Sequence, residues 1–224
     1  MLLTAADVKV THVLLRLAAV CGLVAPLTST VGWAVGGLAQ PDAFSSADDD
    51  ISDLGALTAS SAWIYNQVGA NLTGLLIIAF ALGLWRALSP DVLGRAGAAA
   101  LTIVGLGVFL DGLFRLDCQG IDVGCENDSW HASAHKMETR VTTAATITAP
   151  FVLAFAFRRL PQWRDTWLPT LAAVPGSILV GILFSGLGDG AATRATTFAW
   201  VLWLAFVAFQ LLRKGERSRV RTEF

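Results

Sequence analysis

Six long apolar runs leave this chain few places to fold other than a lipid bilayer. They extend approximately from Val10 to Leu38, Ala62 to Leu88, Ala96 to Phe114, Thr139 to Phe157, Trp167 to Leu187 and Ala195 to Leu212. A hydrocarbon core of roughly 30 Å is crossed by about 20 residues of helix, and each run is close to that or longer. Membrane β-strands would instead show segments of about ten residues with alternating polarity. The sequence therefore predicts an all-α, polytopic membrane bundle of six transmembrane helices. Composition agrees: 15% of residues are charged and 54% hydrophobic, with a mean hydropathy of +0.61, whereas soluble domains carry about 25% charged residues. Disorder, a coiled coil and a soluble single-core enzyme are excluded on that ground. A net charge of -1 argues against nucleic acid as a partner.

The basic residues set an expected orientation, because cytoplasmic loops retain Lys and Arg. Arg86, Arg95, Arg158, Arg159 and Arg164 lie in the second and fourth connections, and Arg213, Lys214, Arg217, Arg219 and Arg221 follow the last run. The opposite loops hold Asp42, Asp48, Asp49, Asp50, Asp53, Asp117, Asp122, Glu126, Asp128 and Asp189. Both termini are expected in the cytoplasm, with residues 1–212 as a single six-helix domain and 213–224 as a basic tail. The first run, interrupted by Pro26 and several glycines, does not read as a cleaved signal peptide. Cys21 follows Val20, which is not a lipoprotein context, and reads as a packing residue. An excess of Arg over Lys with abundant Ala and Gly points to a bacterial cytoplasmic membrane. Pro26, Pro150, Pro169 and Pro175 fall inside the runs, with Pro175-Gly176 the strongest kink signal. Gly105, Gly107, Gly181 and Ala98 to Ala100 suit close helix packing.

Chemistry-bearing residues crowd the extracytoplasmic end. Cys118 and Cys125 bracket a short loop with two glycines, and oxidation is favoured on that side, so a disulfide is expected. Its rival, a thiolate zinc site, uses tighter spacing. His131, His135 and Glu138 fall at i, i+4 and i+7 on one helical face, a partial site for a divalent metal such as zinc, to be completed by Asp117, Asp111 or Asp53. The same groups also suit metal-free acid/base chemistry, or a polar collar at headgroup level. Asp111 lies inside the third run, where ionisable groups face the bundle or a cavity; Arg115, four residues on, offers it a same-helix partner. Gln67 and Asn71 are expected on one face of span two, as interhelical glue or ligand contacts. Arg140 adds a cation at that level. Asp48, Asp49 and Asp50 read as a solvated run. The inner two-thirds of every span are almost wholly apolar, which argues against a transport path through the midplane.

The stretch Phe44-Ser45-Ser46 leading to Ile51-Ser52-Asp53-Leu54-Gly55-Ala56 resembles the first external loop of the prokaryotic membrane proteins grouped as domain of unknown function 998. Further likenesses are Asn66, Gly69 and Gly74 in span two, Asp117 or Asp111 ending span three, and His135 opening span four. The resemblance implies six spans and covers most of the chain; the Cys-bracketed loop and Leu110 before Asp111 depart from its pattern. It supplies no activity. A looser analogy runs to the seven-span intramembrane hydrolases related to alkaline ceramidases and adiponectin receptors. Ser52, Asp111 or Asp117, His131 and His135 mimic part of their Ser, Asp and three-His zinc set, without the third His.

The functional expectation is an intramembrane enzyme acting on a lipid, isoprenoid or other amphipathic substrate at the outer face. Asp111, Asp117 and His135 are its candidate catalytic residues, and His131, His135 and Glu138 its candidate metal ligands. Ser52, Asp53, Asn66, Gln67, Asn71, Arg115 and Arg140 are candidate ligand contacts. The alternative is a non-enzymatic binder, sensor or assembly subunit using the same outer pocket.

Overall fold

The computed structural model describes the backbone of residues 5–222 and the side chains of residues 10–215. The described residues contain helices and no strands. Helix α1 spans Ala5–Leu38 and α3 spans Val92–Asp111; α2, Thr73–Leu88, continues from a π-helical entrance over Ile64–Leu72. Helix α4 covers Trp130–Arg159. The fifth crossing is broken into a 3-10 turn at Pro161–Thr166, α5 at Trp167–Leu171 and α6 at Ala173–Phe184, and α7 runs over Asp189–Thr222. Six of these segments are long and apolar enough to cross a membrane. Helix α7 passes Leu212 without a break, and the side chains of Arg217, Arg219 and Arg221 lie outside the described residues.

Local chemistry explains the boundaries. Asp91 caps α3 by accepting from the Gly94 N–H at 2.7 Å, and Ser129 caps α4 by accepting from the Ala132 N–H at 3.1 Å. The break between α5 and α6 at Ala172 lies just before Pro175, whose missing N–H leaves the Leu171 carbonyl without its helical donor. The expected kink takes the form of a one-residue break at Ala172, whose N–H still reaches the Leu168 carbonyl at 3.0 Å. Helix α3 stops at Asp111, short of the Phe114 end that hydropathy suggested.

Neighbouring helices follow the order α4, α3, α2, α1, α7, α6, with α4 and α6 joined mainly at the basic end by α5 and the Pro161–Thr166 turn. Glycines set the closest crossings: a Cβ on Gly74 would lie 2.5 Å from the Gly105 carbonyl oxygen of α3. At the basic end the ring is filled. Phe80, Leu84, Leu153, Phe157, Leu204 and Val207 are fully buried there, Phe157 stacks on Trp163 with centroids 4.8 Å apart, and Asp165 accepts from Arg213 and Lys214, each at 2.6 Å.

At the acidic end two loops knit into a cap. The Leu57 N–H donates to the Leu116 carbonyl at 2.9 Å, Gln119 Nε2 to Gln40 Oε1 at 3.0 Å, and the Gly120 N–H to Asp53 Oδ2 at 3.1 Å. The Cys118–Cys125 disulfide forms as expected, with Cα atoms 6.3 Å apart. Closing so short a loop restricts the unfolded chain by about 2.5 kcal/mol on the chain-entropy relation. Paired Cys118→Ser and Cys125→Ser substitutions, or reduction, should lower cap stability by that order, read as a fall in Tm and faster proteolysis between residues 112 and 129.

Candidate functional site

The ring of helices is hollow in its acidic half. A cavity of about 590 Å³ reaches from Asp50, Ile51 and Ser52 at its mouth to Trp200 and Val201 at its floor. The floor has a backbone cause. Pro150 in α4 cannot donate to the Thr146 carbonyl, and the Trp200 indole N–H of α7 takes that carbonyl instead at 3.2 Å. One wall carries Thr139, Thr142, Thr143 and Thr146 of α4 and faces Thr193, Thr196 and Thr197 of α7. Both sets follow helical spacing. The cavity therefore carries hydroxyls far deeper into spans that hydropathy read as almost wholly apolar.

Three ionisable groups meet in the upper wall. Asp111 ends α3, while His135 and Glu138 stand on consecutive turns of α4; one ligand atom from each lies within 4.8 Å of the others. His135 Nδ1 is 3.0 Å from the Phe114 carbonyl oxygen and 3.3 Å from Asp111 Oδ1. Two acceptors at one nitrogen assign the proton to Nδ1 in the neutral ring, leaving Nε2 with a lone pair. The second Asp111 oxygen accepts from Tyr65 Oη at 2.7 Å. Glu138 Oε1 accepts from Thr142 Oγ1, but its Oε2 is buried with no hydrogen-bond partner. An unpaired buried carboxylate oxygen is costly, so this atom is poised for a ligand. Two carboxylates and one imidazole also form an N/O set able to hold a divalent metal, with Tyr65 orienting Asp111 from outside.

The other sequence-predicted residues lie elsewhere. Arg115 does not pair with Asp111: its guanidinium donates to the Gly55 and Ala56 carbonyls at 2.8 and 2.7 Å. With α3 ending at Asp111, the i, i+4 rule has no helix to act on. Asn66 donates to the Gly55 carbonyl and Asn71 to the Phe109 carbonyl. Asn66 and Asn71 are buried, while Gln67, expected to share a face with Asn71, is exposed. His131 sits against Trp130 at a centroid distance of 3.7 Å, away from the triplet. Arg140 is exposed on α4 and Ser52 lines the cavity mouth. Asp48 and Asp50 are exposed and Asp49 partly so, and Asp48 and Asp49 also accept from the Ser45 hydroxyl and N–H. Burial pushes the Asp53 carboxyl above its ordinary value, opposed by its bond from the Gly120 N–H.

Residues 23–210 match a family described as Protein of unknown function (DUF998). The chain belongs to the DUF998 family. Comparison with curated proteins and with solved structures returned no match. In this DUF998 protein, sequence reasoning missed Tyr65, although a single tyrosine in the whole chain, set in an apolar span, was a usable signal. It also passed over the two threonine rows.

Asp117 likewise lies outside the triplet; its carboxylate accepts from the Ser129 N–H at 2.9 Å. The Ser129 hydroxyl and N–H hold this carboxyl below its ordinary value of 3.8. A depressed acid contributes stability that is complete above the ordinary value and is lost as pH falls through the folded one. Asp117→Asn should flatten the decline of Tm below pH 3.8, measured by thermal unfolding across an acid series.

Proposed function

We propose that the protein is an intramembrane enzyme that acts on a lipid, isoprenoid or other amphipathic substrate at the acidic end of the bundle. The observation that carries this reading is the Asp111–His135–Glu138 triplet, set in the wall of a cavity with one carboxylate oxygen left unpartnered. His135 Nε2 is the proton acceptor in this reading. Asp111 and the Phe114 carbonyl fix the ring through Nδ1–H, and Glu138 supplies the second proton-transfer group or, with a divalent metal such as zinc bound, a ligand. The excess of Lys and Arg in the basic connections and in the stretch from Arg213 supports a cytoplasmic side for both termini. The cavity mouth then faces the extracytoplasmic side of a bacterial cytoplasmic membrane.

The test is conversion of a defined panel of phospholipids, acylglycerols and isoprenoid phosphates by purified protein in lipid nanodiscs, followed by mass spectrometry. The metal content is measured on the same sample before and after chelation. A product that forms with the parent protein and not with His135→Ala supports the enzyme. A ligand-dependent rise in Tm with no product across the panel supports recognition without turnover.

A further inference from the structure

The cavity wall is incomplete on one side. Thr139, Thr143 and Ile147 of α4 line the cavity and are also exposed, as are Ile178 of α6 and Thr193 of α7. Ile147 and Ile178 are 44% and 51% exposed, so each edge belongs to both the interior and the outer surface. This is where the ring is open, since α4 packs on α3 along its length but meets α6 only sparsely. Ile147 and Ile178 lie well inside helices long and apolar enough to cross a membrane, which sets acyl chain rather than water beside these two.

The interior changes character along its depth. Asp50, Ser52, Tyr65 and the triplet stand at one end; Ile77, Val174, Ile178 and Trp200 stand at the other. A polar end and an apolar end in one pocket match an amphiphile. We propose that the slot between α4 and the α6–α7 pair is a lateral doorway. Through it one hydrocarbon chain of a membrane lipid passes from the adjoining leaflet into the cavity, with its head at the triplet. The proposal rests on the reading of that triplet as the reactive end and names the substrate class: a lipid presented by the bilayer, not a solute arriving from water.

The probe is a phosphatidylcholine carrying a photoactivatable diazirine in mid-chain, incorporated in nanodiscs with the full chain and its His135→Ala form. After illumination, labelled residues are mapped by proteolysis and mass spectrometry. Label is expected on Ile77, Val174 or Trp200 inside, as well as on the outward Leu27 and Val31 of α1. The paired substitutions Ile147→Trp and Ile178→Trp should remove the interior label and leave the α1 label intact. Ile147→Ala with Ile178→Ala, which widens the slot and places no bulk in it, should retain the interior label and control for folding. Interior label unchanged by the tryptophans, or absent from the parent protein, overturns the doorway; so does a second copy seated on the slot, seen as a dimer in native mass spectrometry with no interior label. Interior label kept while no turnover occurs defeats only the enzymatic reading, and turnover kept while interior label is absent defeats only the doorway.

Discussion

Under the proposed enzymatic reading, replacing His135 by Ala should lower turnover by about 10² to 10⁴-fold, the usual contribution of a positioned proton-transfer group. The side chain is held by Phe114 and Asp111 through one ring nitrogen, so its removal takes away both the proposed base and the only imidazole of the triplet. A structural cost accompanies the loss, because Asp111 keeps only Tyr65; a buried acceptor deprived of one donor costs about 1–3 kcal/mol. Thermal unfolding must therefore be measured beside turnover. Glu138→Gln separates the two effects: it keeps the volume and the amide oxygen facing Thr142 but removes the charge. Turnover that survives both His135→Ala and Glu138→Gln in folded protein would place the chemistry elsewhere.

The second large effect is steric. Gly107 of α3 lies where Glu138 and Thr142 of α4 come closest, and a Cβ there would overlap the Thr142 hydroxyl and sit 2.9 Å from Glu138 Oε1. Gly107→Ala should cost about 1–3 kcal/mol as overpacking and should also displace Glu138, lowering turnover. Thr142→Ala in the same chain removes the overlapping hydroxyl, so the pair should be less damaging than the sum of the single changes. A double-mutant cycle on Tm and turnover checks this, and strict additivity would sink the account.

The hydropathy runs made the six crossings readable, and Cys118 and Cys125 made the disulfide readable, because both depend on local composition and compartment. Pro175 marked the break in the fifth crossing for the same reason. What escaped depended on where helices stop and which side chains turn inward. Asp111 looked paired with Arg115 only on a helix that continues; the helix ends there, and Tyr65 takes the position. Gln67 and Asn71 looked like one face at four-residue spacing, yet only Asn71 turns inward, to the Phe109 carbonyl, while Gln67 is exposed. The triplet was half legible. His135 and Glu138 share a face of α4, and Asp111 is one of three acids the sequence offers to complete their set, while His131, grouped with them at helical spacing, stands outside the triplet. The threonine rows were visible at helical spacing, yet a hydropathy reading scores threonine as nearly neutral and cannot see a cavity.

The filled half of the bundle has an electrical meaning. Below Trp200 the section is closed by Phe80, Leu84, Leu153, Leu204 and Val207, all fully buried. A low-dielectric plug of this kind gives an ion no hydrated step across the lower leaflet. The hollow of the acidic half is therefore blind toward the basic end, a pocket rather than one stage of a path through the bundle.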